Sequence, residues 1–534
     1  MSLARRCGAH GPAREAACAA VLQRVKDAGL RQVRVSWPDL HGQFRSKTLI
    51  GAEALAAALH EGIGMVSTLL LKDTADRTAV PVFEAGALAD LPGFGAANNV
   101  LLLPDPASFT ALPWAPHIGW LRADAWWEDG SPVAACPRRV LQRALAELAA
   151  AGHGLQCGLE VEFHIHRITH DGLDAVDEAT GAWAGAAPAL NHTHAGWHLL
   201  SEAAADLCDV PLQIVQHTAL GLGLPLRTLE VEMGPSQFEA VFAPTDALNA
   251  ADQMLAFRNG VRQALRRAGY QASFVCKPPL AGSVASGWHL HQSLVGVDGR
   301  NAFMRDRPAG AAATAANDTA NDTAHDTAHD TANDTANDTA NDTAHDTANH
   351  TANDTMHDAR HVLSDTGAHW LAGLLAHASG MAALCAPSIP AYARYRGGVM
   401  APQAAVWGRD NRGAMLRVVG AAGHPATRIE NRLGEPMANP YLMLAAQIFA
   451  GLHGLRARLP APPGSATPYD PAHPALPSTL HDALHALSDD TVLMQGLGAP
   501  MAQVYLAVRR QELARHAAAE DKAQWERREY FNRY

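Results

Sequence analysis

Three things are scarce in this 534-residue chain: paired cysteines, clustered basic residues and long apolar runs. The seven cysteines (Cys7, Cys18, Cys136, Cys157, Cys208, Cys276, Cys385) are an odd, scattered set with no C-x-x-C pair. That pattern argues against a disulfide framework and for a reducing compartment, so a cytoplasmic protein is expected. Lys and Arg form no dense stripe and aromatic residues make up 6% of the chain, so no nucleic-acid partner is expected. No stretch approaches the roughly 20 apolar residues that span a bilayer. The N-terminus breaks at Gly8, Gly11 and Pro12 before any apolar signal core forms, so no membrane association is expected either.

What is present is enough apolar material for a large core, 48% hydrophobic against 18% charged, in a length that suits two to four domains. The formal charge of −11 is local: residues 317–358 hold ten Asp and no Glu, Lys or Arg, and the rest is nearly neutral. Those residues repeat NDTA or HDTA. The unit carries no large apolar side chain and cannot bury a core, so residues 311–360 are expected to be a disordered, low-complexity insert. Its five histidines (His325, His329, His345, His350, His357) offer adventitious metal binding at most.

Around the insert the chain divides into an N-terminal extension or helix (1–29), a small α+β domain (30–128) and a larger domain (129–534). Gln32-Val33-Arg34-Val35-Ser36 reads as a strand, and Trp127-Glu128-Asp129-Gly130-Ser131-Pro132 as a turn-rich boundary. Val140, Leu141, Leu145 and Leu148 share one helix face. Asn439-Pro440-Tyr441 reads as an Asn N-cap with Pro at the first helical position, opening a buried helix. Residues Ala502 to Tyr534 are charged and amphipathic, and an exposed helix is expected there.

The chemistry lies in alternating segments. In Cys157 to His166, Leu159, Val161, Phe163 and Ile165 fall on one face of a strand, and Glu160, Glu162, His164 and His166 on the other. Glu230 and Glu232 repeat the pattern, as do Gln237 with Glu239, His289 with His291 and Ser293, and Arg428 with Glu430 and Arg432. No Lys stands on any of these polar faces, unlike an ordinary solvated sheet. Carboxylates with a single imidazole suit Mg²⁺ or Mn²⁺ better than Zn²⁺, and two such ions would suit a nucleoside triphosphate. Arg394, Arg412, Arg417 and Arg432 follow, and Arg grips carboxylate and phosphate through a planar fork. Metal-assisted phosphoryl transfer is the chemistry implied.

These motifs together resemble the glutamine synthetases. The resemblance runs through Gly158-Leu159-Glu160-Val161-Glu162-Phe163, Glu232-Met233-Gly234-Pro235-Ser236-Gln237-Phe238-Glu239 and Ser286-Gly287-Trp288-His289-Leu290-His291. It continues through Asn411-Arg412 with Arg417, Glu430-Asn431-Arg432 and Asn439-Pro440-Tyr441-Leu442, and spans roughly residues 30–455 apart from the insert. It implies an α+β fold, with a small β-grasp-like N-terminal domain followed by a catalytic domain whose curved antiparallel sheet is flanked by helices. It implies two divalent ions per site, one held by Glu162, Glu232 and Glu239 and the other by Glu160, His289 and Glu430. By the same resemblance Arg394, Arg432 and Glu162 bind the acid substrate, and His291, Ser293, Arg412 and Arg417 bind the co-substrate ATP. Arg412, Arg417 and Arg432 stabilise the transferring phosphoryl group. A dodecameric ring with active sites between subunits is expected.

Three departures bear on specificity. The flap position that carries Glu in true glutamine synthetases is Met400, and the family's ammonium-binding Asp aligns with Val66. Val284-Ala285 replaces Asn-Gly, and Pro390-Ala391-Tyr392-Ala393-Arg394 replaces N-S-Y-K-R. The resemblance is therefore strongest to relatives that join glutamate to larger amines through a γ-glutamyl phosphate. An ammonia-using glutamine synthetase is the alternative, and a non-catalytic homologue with a binding or structural role a second. Broken metal ligands would mark the latter, and none of the six is broken.

Overall fold

The protein is described here by a computed structural model covering residues 1–84, 86, 88, 91–171, 188–306, 358–396, 400–531 and 533–534. The insert expected over 311–360 lies outside these residues up to 357.

The first sheet is built from β1 (Gln32–Pro38), β2 (Phe44–Ile50), β3 (Ile63–Val66), β4 (Asn99–Pro104), β5 (Thr110–Leu112) and β6 (Ala115–Trp126). Its order is β2-β1-β6-β4-β3, with β5 beside β6. β1 runs parallel to β6, and the other pairs are antiparallel. A central parallel pair with a helix (Ala52–Glu61) after the second strand is the β-grasp arrangement. That helix and Pro12–Asp27 put Leu55, Leu59, Cys18, Val21 and Val25, spaced three or four apart, against Val33 and Leu121.

The second sheet holds β7 (His153–His170), β8 (Ala189–His192), β9 (Leu226–Val231), β10 (Gln237–Asp246) and β11 (Tyr270–Ser273). It continues with β12 (Trp288–Gly296), β13 (Trp407–Arg409), β14 (Leu416–Val419) and β15 (Arg428–Gly434). The order is β13-β14-β15-β12-β7-β10-β9, with β8 and β11 also pairing with β7, and only β13 and β14 run parallel. Leu159, Val161, Phe163 and Ile165 are buried, as the alternation requires, in one apolar core with Phe238, Leu290, Ile429 and the helix Ala247–Arg267. Phe163 meets Phe257 of that helix edge-on at 5.8 Å between centroids.

The helix Pro440–Ala457 starts as its sequence requires: Asn439 accepts hydrogen bonds from the amides of Tyr441 and Leu442, and Pro440 follows at the first position. It is buried almost throughout because helices pack on several of its sides, among them Asp365–Ala376, Pro137–Ala150 and Thr491–Leu497, the first crossing it backbone to backbone. A Cβ at Gly454 would lie 2.1 Å from the His369 carbonyl oxygen.

The C-terminal region corrects one expectation. Ala502–Tyr534 is not one exposed helix but Ala499–Ala517, Lys522–Glu526 and a wide turn over Arg527–Phe531. Trp525, Tyr530, Phe531 and Tyr534 are buried against Val275 and Met437. The charges that suggest exposure are paired internally: Arg509 with Glu512 at 2.8 Å, and Arg515 with Glu529 at 2.6 Å and Asp73 at 2.9 Å. All seven cysteines are free. No single helix among the described residues is long and apolar enough to cross a membrane.

Candidate active site

Strand register assembles the site. Glu239 on β10 stands opposite Glu162 on β7 and Glu230 on β9. His289 on β12 stands opposite Glu160 on β7, while Glu430 on β15 faces His291 on β12 and Arg417 on β14. Six adjacent strands thus contribute to one row of acids, imidazoles and guanidiniums. Like charges directly opposite each other destabilise a sheet, so the row needs a counter-charge.

Distances place His289 at the centre. Its Nδ1 is 3.5 Å from Glu160 and 3.8 Å from Glu430, and its Nε2 is 3.7 Å from Glu162. Ligand atoms converge in two overlapping sets, Glu160 with Glu239 and His289, and Glu160 with His291 and Glu430, each within 4.8 Å. Four of the six expected ligands fall in these sets, Glu162 adjoins them through His289, Glu232 stands outside them beyond the end of β9, and His291, expected at the nucleotide, joins the second set. Its Nε2 donates to Glu160 at 2.8 Å while its Nδ1 accepts from Arg428 at 3.0 Å, which fixes the tautomer.

The electrostatics divide the row. Burial first, and then the neighbouring Glu160, Glu232 and Glu162 carboxylates, push Glu239 well above the ordinary carboxylate range. Glu232 rises to about 8, through burial and the Glu162 charge. At Glu430 burial works in the same direction but is overcome by Arg432 and the two histidines, which hold it down to about 2. Several buried carboxylate oxygens brought together in this way suit a hard divalent ion, whose ligands are deprotonated when it binds.

The arginines hold the other end. Arg432 pairs with Glu430 and also donates to the Met400 carbonyl at 3.2 Å. Arg417 bridges Glu430 at 3.3 Å and Asp410 at 2.9 Å. Arg394 donates to the Arg432 carbonyl at 2.8 Å and lies 3.5 Å from His289 Nε2. This packing requires Gly287, where a Cβ would fall 2.6 Å from Arg394 Nη2 and 3.0 Å from His289 Nε2. The Gly287 amide and the Gln237 side chain, both near 3 Å, fix one oxygen of Glu162.

The model of the glutamine synthetase catalytic domain matches residues 134–320 and 345–530. The chain belongs to the glutamine synthetase family. Within that family it is 33% identical to γ-glutamylanilide synthase of an Acinetobacter species, over 96% of this chain and 95% of the relative. It is 30% identical to γ-glutamylethanolamide synthetase of Streptomyces coelicolor, over 94% and 92% of the two chains. The solved GmaS–ADP complex superimposes with a TM-score of 0.69 at 27% identity, covering 96% of this chain and 99% of that one.

In this family member the remaining expected residues are more dispersed. Arg412 is half-buried in the turn between β13 and β14, and Ser293 is half-buried on β12 opposite Gln156. Met400 borders the site, 41% exposed, with its carbonyl on Arg432. Val66 ends β3 on the other sheet, exposed to solvent in the single chain. Glu232 follows the last residue of β9, and its carboxylate accepts from the Met233 amide.

Four further side chains or amides shape the site; the sequence reading places Gln237 on the polar face without a role, and the other three escape it. Gln237 clamps Glu162, Ser286 and the Gly234 amide together, Asp410 holds Arg417, and Tyr469 holds Met400. Trp197, 74% exposed at a left-handed φ of 74°, donates its amide to the Met233 carbonyl beside Glu232. Only Gln237 sits within a recognisable motif, and the others are joined to the site by loops that carry no local pattern.

Proposed function

We infer that the protein is an ATP-dependent carbon–nitrogen ligase that joins the γ-carboxylate of glutamate, or a similar acid, to an amine larger and more apolar than ammonia. The observation that carries this reading is Met400: an uncharged side chain, exposed beside Arg432, at the position where an ammonium-binding carboxylate is expected. Trp197 and Met233 add exposed apolar surface beside Glu232. An apolar wall offers an ammonium ion no counter-charge, whereas each methylene buried from a larger amine gains about 0.8 kcal/mol. The relatives named for anilide and ethanolamide products point the same way.

In this reading Glu162, Glu232 and Glu239 hold one Mg²⁺ or Mn²⁺ ion, and Glu160, His289 and Glu430 the other, with His291 donating to Glu160 and so orienting that ligand. Bound divalent ions neutralise the oxygens of the triphosphate and of the transferring phosphoryl group. Arg394 and Arg432 orient the acid, so that its γ-carboxylate attacks the terminal phosphorus of ATP and ADP leaves. Arg412 and Arg417 oppose the charge spread over the phosphoryl oxygens, with Arg417 kept in place by Asp410. The amine nitrogen then attacks the acyl carbon of the γ-glutamyl phosphate, phosphate departs, and the nitrogen loses a proton to give the amide. Ser293 and His291 border the nucleotide.

A dodecameric ring belongs to this proposal, with Val66, exposed in the single chain, completing the amine pocket of a neighbouring subunit. A cytoplasmic location is part of the same proposal, and the seven free cysteines support it. Incubating the protein with Mg²⁺, ATP, glutamate and an amine panel, and identifying products by mass, tests the activity. γ-Glutamyl amides that form only when all three substrates are present are the expected outcome, and glutamine as the sole product contradicts the reading.

A further inference from the structure

The segment 462–476 lies along 403–413 and is tied to it over its length. Leu476 donates its amide to Gln403 at 3.0 Å, Ala405 to Pro474 at 2.8 Å, and Ser465 to Trp407 at 2.8 Å. The Asn411 side chain donates to the Ser465 carbonyl at 3.2 Å. Tyr469 crosses the other segment at Gly413, where a Cβ would lie 2.8 Å from Pro468 and 2.9 Å from the Tyr469 hydroxyl. At this crossing the Tyr469 hydroxyl accepts a hydrogen bond of 2.8 Å from the Met400 amide.

Met400 has a φ of +64°, the left-handed region that non-glycine residues adopt infrequently. Its peptide groups are fastened on both sides, the amide by Tyr469 and the carbonyl by Arg432. The Met400 and Tyr469 side chains are each 41% exposed, so the pair offers a thioether and a phenyl ring next to the guanidinium.

We propose that Tyr469 is a positioning residue that holds Met400 in its left-handed conformation and so sets the apolar rim against which the alkyl or aryl group of the amine rests. This assignment rests on the reading that Met400 borders the amine. It makes a loop 69 residues downstream of Met400 part of the determinant of amine size.

Tyr469→Phe keeps the ring and removes the hydrogen-bonding oxygen. Its expected effect is a rise of about five-fold in KM for the preferred amine, the size of one lost hydrogen bond, with KM for ATP and glutamate within about two-fold of wild type. Glycine adopts the left-handed conformation unaided, so in a Met400→Gly background the added Tyr469→Phe should leave the amine KM unchanged. An unchanged amine KM in Tyr469→Phe, an equal rise in all three KM values, or the same increment in the Met400→Gly background would each overturn the assignment. A wild-type preference for ammonia would overturn both this assignment and the functional reading beneath it. A wild type that prefers the larger amine while Tyr469→Phe behaves identically removes the role of Tyr469 alone.

Discussion

Glu239 stands directly opposite Glu162 across β10 and β7, and both carboxylates belong to one largely buried row. The fold holds these two acids side by side at a cost, as repulsion or as the proton on Glu239 that relieves it, and a divalent cation removes that cost, so stability and activity should pull apart at Glu239. Glu239→Gln should raise the melting temperature of the chelator-treated protein by a few degrees, through about 1 kcal/mol of relieved repulsion. The same variant should abolish ATP-dependent amide formation. Mg²⁺ should raise the melting temperature of wild type far more than that of the variant, because ligand binding to the folded state alone stabilises it. Thermal unfolding with and without Mg²⁺ checks all three.

Gly287→Ala should fold normally and fail at the acid substrate. The new methyl group would meet Arg394 Nη2 at 2.6 Å and displace the guanidinium. A misplacement of about 1 Å in a substrate-orienting group costs on the order of a hundred-fold. kcat/KM for glutamate should therefore fall on that scale, with circular dichroism unchanged.

Replacing residues 317–358 with a short Gly/Ser linker should leave kcat unchanged. The flanking chain is already closed: Met304 bridges Leu363, and Ser364 donates its amide to Phe303 at 2.9 Å. Closing a shorter loop changes the entropy by only about 0.6 kcal/mol per halving of its length, so stability should rise slightly if it moves at all. Activity and size-exclusion elution before and after the replacement measure this.

Glu435 provides a pH signature away from the metal row. Burial raises its pKa to about 7 despite hydrogen bonds from the amide and hydroxyl of Ser388. Its folded-state pKa therefore lies above the unfolded value. The native state keeps a proton that the unfolded chain releases, so the contribution is fully present below about pH 4.5 and is lost as pH rises to about 7. The loss is on the order of 3 kcal/mol. Glu435→Gln should flatten the fall in stability over that window, as read by urea unfolding at several pH values.

Much of the site was legible because strand alternation and register are short-range rules. Once Glu160, Glu162, Glu239, His289 and Glu430 alternate with apolar residues, burying the apolar face places the others in one row. The N-cap at Asn439 was legible for the same reason. What local pattern does not carry was missed: Tyr469 reaches Met400 through a loop, and Asp410 reaches Arg417 through a turn. The C-terminal region misled because composition shows charges but not their partners, and Glu512 and Glu529 are buried with Arg509 and Arg515.

The central claim concerns the amine, and the most direct measurement is kcat/KM for ammonia, a short alkylamine, an arylamine and putrescine, in wild type and in Met400→Glu. Wild type should favour the alkyl- or arylamine over ammonia by about two orders of magnitude, from three or four buried carbons. Putrescine should be poor, because its distal ammonium would meet Met400 rather than a carboxylate. Met400→Glu should shift the ranking towards ammonia and putrescine. A wild-type preference for ammonia, or a ranking that Met400→Glu leaves untouched, would contradict the claim and make glutamine synthesis the better reading.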